Sequence, residues 1–149
     1  PREGNGWSHK YARRQWNLVD NKELCYHYLG DFDREMIKVL KSIRGIQSKP
    51  VQEIWHSDYD QVLAYTRKDL LFVFNFNPCK SFTDYGLLVP AGSYEVVLNT
   101  DAKEFGGNGL NDDSVKHFTM FDPVHKKYRK EWLKLYIPAR SCMVLKLDR

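Results

Sequence analysis

Hydrophobic positions in the first 45 residues recur every three or four residues, which is the spacing of an α-helix. The longest such stripe predicts one amphipathic helix over 24–43. Asp20 and Glu23 have the form of a capping box before this helix, and Gly45 is placed to end it. Gly30 interrupts the stripe, so we expect a kink or two abutting helices there. The stripe consists of Cys25, Leu29, Phe32, Met36, Leu40 and Ile43.

From Val51 onward the hydrophobic period changes to two, as in half-buried β-strands. The Asp58-Tyr59-Asp60 motif lies between the first two of these stretches and predicts a hairpin turn. Residues 70–76 are almost entirely apolar, which indicates a central strand that is buried on both faces. The predicted strands are 51–57, 62–67, 70–76, 93–100, 115–121, 129–137 and 141–147.

Together these patterns predict a mainly β protein. We expect an antiparallel β-sandwich of seven to eight strands, preceded by an N-terminal helical segment. The change of period places the boundary between a helical part at 1–47 and a β-sandwich domain at 48–149.

Alternation along the strands predicts which side chains share a face of the sheet. In 93–100, one face is expected to carry Tyr94, Val96 and Leu98. In 129–137, apolar Leu133, Leu135 and Ile137 alternate with Trp132, Lys134 and Tyr136.

Composition and charge exclude several classes of protein. The net charge is +4 over 149 residues, and acidic residues are interleaved with the basic ones, so a nucleic-acid surface is not expected. Three widely spaced cysteines fit neither a disulfide framework nor a zinc site, and they indicate reduced thiols in a cytoplasmic protein. No apolar run approaches the roughly 20 residues that a membrane span requires.

Local motifs indicate neither a catalytic centre nor a cofactor site. The glycine-rich stretch 105–109 lacks the Gly-Lys-Ser/Thr of a phosphate-binding loop and lies between strands, so we interpret it as a plain loop. The five histidines have no metal-ligand spacing. His56, Ser57 and Asp58 cannot form a relay, because neighbours on a strand point to opposite faces.

Two surface features remain as candidate binding sites. The basic run at 125–131 could hold an anion or a nucleic-acid backbone, although such runs are usually solvated loops; its cations are Lys126, Lys127, Arg129 and Lys130. Trp132 and Tyr136 fall on one face of a strand, and Trp55 and Tyr59 lie around another. An exposed pair of this kind could stack on sugar rings, although most aromatic residues of a sandwich belong to its core.

Several segments, in order along the chain, resemble the late part of glycogen (starch) branching enzymes of the α-amylase superfamily. The opening PREGNGWS and the following ARRQWNLVD are similar to the end of that family's catalytic (β/α)8 barrel. The segment FDREM resembles part of its last barrel helix region. DLLFVFNFNP, DAKEFGGNG and PARSC resemble a central strand, a glycine-rich turn and the entry to the last strand of the C-terminal domain.

This resemblance implies a C-terminal fragment whose residues 1–47 are the helical tail of a truncated barrel and whose residues 48–149 form a C-terminal all-β domain. Such enzymes transfer α-1,4 glucan segments to 6-hydroxyls through paired carboxylates, in retaining glycoside chemistry. Those carboxylates are expected upstream of this chain, so no catalytic residue, cofactor or metal is assigned to it. The implied substrate contacts are Asn5, Trp7 and Arg13, and the implied partners are α-glucan or glycogen and the protein's own barrel.

Two alternatives stay open at this stage. The sandwich could be a stand-alone carbohydrate-binding module that holds α-glucan through Trp132 and Tyr136. It could instead bind an anion or a nucleic acid through the basic run, and such binding would weaken steeply with salt.

Overall fold

A computed structural model describes residues 15–121, 123–124 and 130–148, and contains two α-helices and eight strands in them. Short 3₁₀ turns occur at Ile46–Ser48 and Lys103–Phe105. The helices are α1 (Trp16–Asp20) and α2 (Tyr26–Ser42). The strands are β1 (Gln52–Ser57), β2 (Val62–Arg67), β3 (Leu70–Asn75), β4 (Phe82–Pro90), β5 (Ser93–Asn99), β6 (His117–Phe118), β7 (Lys130–Ile137) and β8 (Ser141–Asp148).

The strands form two antiparallel sheets, which confirms the predicted mainly β sandwich. The larger sheet has the order β1-β2-β3-β8-β5-β6, and the smaller sheet pairs β4 with β7. Alternate residues of both sheets meet in one apolar core, as expected of a sandwich. Its fully or nearly buried members include Ala64, Leu71, Val73, Leu87, Val89, Tyr94, Leu133, Leu135 and Leu145.

The other face of the large sheet is covered by α2, so the chain has three layers. A second apolar cluster joins the helix to this face through Ile43, Ile46, Leu70, Leu98 and Val144. Phe32, Met36 and Leu40 pack against the cluster, as the predicted stripe requires. The first two stripe residues, Cys25 and Leu29, are exposed, because the stripe runs past the part of the sheet that α2 covers.

Both ends of α2 differ from the prediction, the start more than the end. Asp20 is the last residue of α1 and not an N-cap, and the Glu23 backbone N–H donates to Asn21 Oδ1 at 3.0 Å. This Asx-type bond competes with helix formation, so α2 begins only at Tyr26. Helix α2 ends at Ser42, one residue before the predicted end, and the left-handed Gly45, with φ of 73°, starts the 3₁₀ turn at Ile46–Ser48 and does not cap α2.

The predicted division into two helices at Gly30 is wrong, since α2 runs through it without a break. Glycine is required there for a close approach: a Cβ on Gly30 would lie 2.6 Å from Val19 Cγ1 of α1. The missing side chain lets the two helices pack side by side.

The strand predictions fail at three places. The apolar pattern does not predict β4. The pairing of β4 with β7 contains a register shift between Phe82 and Tyr85, and this shift disturbs the alternation of apolar residues. The predicted strand at 115–121 shrinks to the two residues of β6. A register shift between Val96 and Leu98 carries Leu98 to the helix side, so it does not share a face with Tyr94 and Val96.

None of the described helices combines the length and the apolar character needed to cross a lipid bilayer.

Candidate functional site

Several of the predicted binding residues lie outside the described residues. This applies to Asn5, Trp7 and Arg13, and to the cations Lys126, Lys127 and Arg129 of the basic run. The fourth cation, Lys130, is half-buried at the start of β7.

The structure places Trp132 and Tyr136 on the outward face of β7, on the side predicted from alternation. The Trp132 side chain is 37% exposed and its ring lies over β4, where a Cβ on Gly86 would be 3.3 Å from it. Its backbone exchanges hydrogen bonds of 2.8 and 3.1 Å with Met120. Tyr136 is half-buried. The pair therefore lies at the surface of the small sheet, with the indole partly packed.

His56 and Ser57 have hydrogen-bond partners other than each other. His56 Nδ1 lies 2.7 Å from Glu53 Oε1, and this hydrogen bond raises the pKa of His56. The Ser57 hydroxyl accepts a bond from the Asp60 backbone N–H at 3.1 Å. Within the described residues, no group of three or more acidic, histidine or cysteine side chains could hold a metal ion.

The glycine-rich loop folds around the carboxylate of Asp101, which lies just before it in the sequence. The buried Asp101 side chain accepts backbone N–H groups of Asn108 at 3.0 Å and Leu110 at 2.7 Å. These donors are occupied, so they are not available to cradle a phosphate. The loop instead packs against α2, where Phe105 meets Phe32 edge to face with ring centroids 5.4 Å apart.

All three thiols are free, and their environments differ. Cys25 and Cys79 are exposed. Burial raises the pKa of the Cys142 thiol to about 12, so this group stays protonated and unreactive near neutral pH. None of the three is paired with a group that would activate a nucleophile in the described structure.

The helical layer exposes a set of large apolar side chains, which we call the helical apolar surface. Leu29 is 71% exposed, and Tyr26 and Ile37 lie about three helical turns apart on one side of α2. Trp16 of α1 is also exposed. Large apolar patches on a protein surface mark sites where another surface is bound.

A second exposed feature, the aromatic row, lies on the helix side of the large sheet. Tyr65 stacks on Phe72 with a centroid distance of 4.8 Å, and Phe74 stacks on Phe76 at 5.5 Å. Phe72 packs into the cluster under α2, whereas Phe76 is exposed. The row therefore extends the helix-side core outward to solvent.

Comparison with known proteins identifies the family of this fold. Residues 55–148 match the family model described as alpha amylase, C-terminal all-beta domain. The chain is 40% identical over 146 residues to a 1,4-alpha-glucan-branching enzyme of Candida glabrata, covering 97% of this chain and 20% of that protein. It is 42% identical over 150 residues to the enzyme of that name from Emericella nidulans, covering 99% of this chain and 22% of that protein.

A relative from Dictyostelium discoideum, also named 1,4-alpha-glucan-branching enzyme, is 42% identical over 148 residues. The match covers 98% of this chain and 21% of that protein. The chain thus spans about a fifth of the length of the curated relatives it matches.

Proposed function

Because this chain belongs to the family of α-amylase C-terminal all-β domains, we propose that it is the C-terminal part of a 1,4-alpha-glucan-branching enzyme. The observation that carries the proposal is the extent of the similarity, which reaches beyond the all-β domain to 97–99% of the chain. The complete protein then transfers α-1,4 glucan segments to 6-hydroxyls in glycogen biosynthesis, in the cytoplasm.

In this proposal residues 1–47 complete the catalytic barrel and residues 48–149 form the domain that supports it. Two features of the chain favour this role. These features are the helical apolar surface and the aromatic row. Covering them with another domain would remove apolar area from water and stabilise the folded protein. Helix α2 packs on the sheet through Phe32, Met36 and Leu40, whereas Leu29 in its first turn is exposed, so a barrel docked at this end of the helix would cover that side chain.

The chain itself supplies no catalytic group in this proposal. Its contribution to substrate binding is assigned to Asn5, Trp7 and Arg13 beside the barrel, and to Trp132 and Tyr136 on β7. The part-exposed indole of Trp132 supports the second pair, because an aromatic face accessible to solvent can stack on a sugar ring.

The supporting role predicts that Leu29→Glu has different effects in two contexts. In the 149-residue chain this exposed position should tolerate Glu, with a change in unfolding free energy within about 0.5 kcal/mol. In the longer protein the same carboxylate would be buried against the barrel without a partner, and should cost at least about 2 kcal/mol. Thermal unfolding of both proteins measures the difference.

Gln47→Glu is the matched control, since it places a carboxylate at an exposed polar position of the same layer. It should be nearly neutral in both proteins. Equal effects of Leu29→Glu in the short and the long protein would refute docking through α2.

A further inference from the structure

The glycine-rich loop contains an Asn-Gly pair, Asn108-Gly109, whose chemistry the proposed function does not use. Asparagine is a chemically labile residue, and a following glycine has no Cβ to hinder attack by its own backbone nitrogen on the side-chain amide. The fold requires glycine here, because φ of Gly109 is 64° and a Cβ would lie 2.9 Å from Lys103 Cγ. The geometry of the loop therefore imposes a sequence that is prone to deamidation.

Deamidation at this pair needs no reactant other than water. The Gly109 backbone nitrogen attacks the side-chain carbonyl carbon of Asn108 and forms a new C–N bond. The side-chain nitrogen leaves as ammonia, with the proton of the attacking nitrogen, and a cyclic succinimide remains. Water then adds to either carbonyl group of this ring and breaks its C–N bond, which leaves aspartate or isoaspartate at position 108. Water is consumed and ammonia is released, without oxidation or reduction.

The closed loop keeps both reacting groups from this reaction. The Gly109 N–H donates to the Asp101 carbonyl oxygen at 2.7 Å, so the attacking nitrogen is occupied. The backbone N–H of Asn108 donates to Asp101 Oδ1 at 3.0 Å, and its side-chain amide lies 3.5 Å from the same oxygen. Asn108 is exposed, so water reaches it directly. Opening of the loop is therefore the step that permits the reaction.

Both products are incompatible with the closed loop. Aspartate would place a second carboxylate where the Asn108 amide now lies 3.5 Å from Asp101 Oδ1, and the two like charges repel beside a buried group. Isoaspartate adds a methylene to the main chain between position 108 and Gly109. The backbone N–H groups of Asn108 and Leu110 would then lose the spacing that lets Asp101 accept both.

The loop also holds α2, so its opening affects the helical layer. Tyr28 packs on Gly106, where a Cβ would lie 2.9 Å from the ring. Phe32 meets Phe105 edge to face, with ring centroids 5.4 Å apart. Two consecutive loop residues thus contact two side chains that are one turn apart on α2. An open loop loses both contacts, and the first half of α2 loses this attachment.

We propose that Asn108 is a site of spontaneous deamidation, that opening of the glycine-rich loop controls its rate, and that the modified loop no longer attaches the first half of α2 to the sheet. Because ammonia is lost, the site converts a transient opening into a lasting change of the helical layer. The proposal concerns only the loop and α2, and it does not rest on the proposed function.

Peptide mapping of the 149-residue chain, after incubation at neutral pH and physiological temperature, measures the rate. Trypsin releases 104–116, and fragmentation of this peptide distinguishes Asn108 from Asn111. A synthetic peptide of the same residues is the open reference. The folded chain should deamidate at least about ten-fold more slowly than the peptide, since only the open fraction reacts. Gly107→Ala opens the loop and should bring the rate to within about three-fold of the peptide.

Gly86→Ala is the control for destabilisation elsewhere, because its new methyl group meets the Trp132 ring on the small sheet and not the loop. Its rate should stay within about two-fold of wild type. Circular dichroism establishes that each variant is folded during the incubation. A folded wild-type chain that deamidates as fast as the peptide would overturn control by the loop, and so would a folded Gly107→Ala chain with the wild-type rate.

Asn108→Asp reproduces one product, and Asn108→Gln is its neutral counterpart at the same exposed position. Hydrogen exchange of the amides of 26–34 should be at least about ten-fold faster in Asn108→Asp, and within about two-fold of wild type in Asn108→Gln. The amides of β3 should keep their wild-type exchange in both variants. Wild-type exchange of α2 in Asn108→Asp, or an equal change in β3, would overturn the link between the loop and the helix.

Discussion

Asn75→Asp should lower the free energy of unfolding by about 4 kcal/mol, since it leaves several buried polar groups unpaired. Asn75 is only 1% exposed. The two N–H groups of its amide are shared among three carbonyl oxygens, at 2.9 Å for Lys80, 3.1 Å for Ile137 and 2.9 Å for Pro138. A carboxylate has no donor, so it would face three carbonyl oxygens in a buried site. These bonds join the end of β3 to the segment before β4 and to the end of β7, and the loss should affect the whole sandwich.

Urea unfolding of the chain measures this effect, and Asn77→Asp is the matched control. The Asn77 side-chain oxygen accepts the backbone N–H groups of Cys79 at 3.1 Å and Lys80 at 2.9 Å, which a carboxylate can also do. Its amide nitrogen makes one long bond, 3.5 Å from the Asp60 carbonyl. Asn77→Asp should therefore cost less than about 1 kcal/mol. Similar midpoints for the two variants would show that the bonds donated by the Asn75 amide do not stabilise the fold.

Gly107→Ala should destabilise the chain by about 3 kcal/mol, because the new methyl group has no space. A Cβ at this position would lie 2.5 Å from the Asp101 Cα and closer still to its carbonyl carbon and oxygen. Backbone atoms cannot rotate away as a side chain can, so the loop would have to open around the Asp101 carboxylate. The contact between Phe105 and Phe32 would loosen with it, and α2 would lose part of its attachment to the sheet.

Gly86→Ala is the comparison for this variant. Its Cβ would meet the Trp132 ring at 3.3 Å, a side chain that can move by a few tenths of an ångström. We expect Gly86→Ala to cost at most about 1 kcal/mol in the same urea experiment. A Gly107→Ala chain as stable as Gly86→Ala would contradict the tight closure of the loop around Asp101.

The spacing of apolar residues predicts an element correctly where its buried positions repeat regularly. One side of α2 and one face of β7 pack on the core. The residues on those sides are apolar, so the helical and the alternating periods are visible in the sequence. The prediction fails where local geometry breaks the period. The register shifts in β5 and at the start of β4 change the face on which side chains lie, and the Asn21 bond delays the start of α2.

The same difference applies to side chains at the surface, since regular alternation predicts some of their positions and not others. Alternation is sufficient to place Trp132 and Tyr136 on the outward face of β7. The hydrogen bond from the Trp55 indole to Tyr85 Oη cannot be predicted in this way, because the two residues are 30 positions apart and the apolar pattern does not predict the strand that carries Tyr85. Only the pairing of β4 with β7, and the packing of that sheet on β1–β3, brings the two side chains together.

In the proposed function, this chain is the non-catalytic C-terminal part of a glucan-branching enzyme. The most direct test of this claim is an amylose-branching assay, read from the colour of the iodine complex, on the 149-residue chain and on the longer protein from the same reading frame. The longer protein should shift the absorption of the complex to shorter wavelengths, because new branches shorten the linear segments, and the 149-residue chain should cause no shift. A shift produced by the 149-residue chain alone, or the absence of a shift with the longer protein, would contradict the claim.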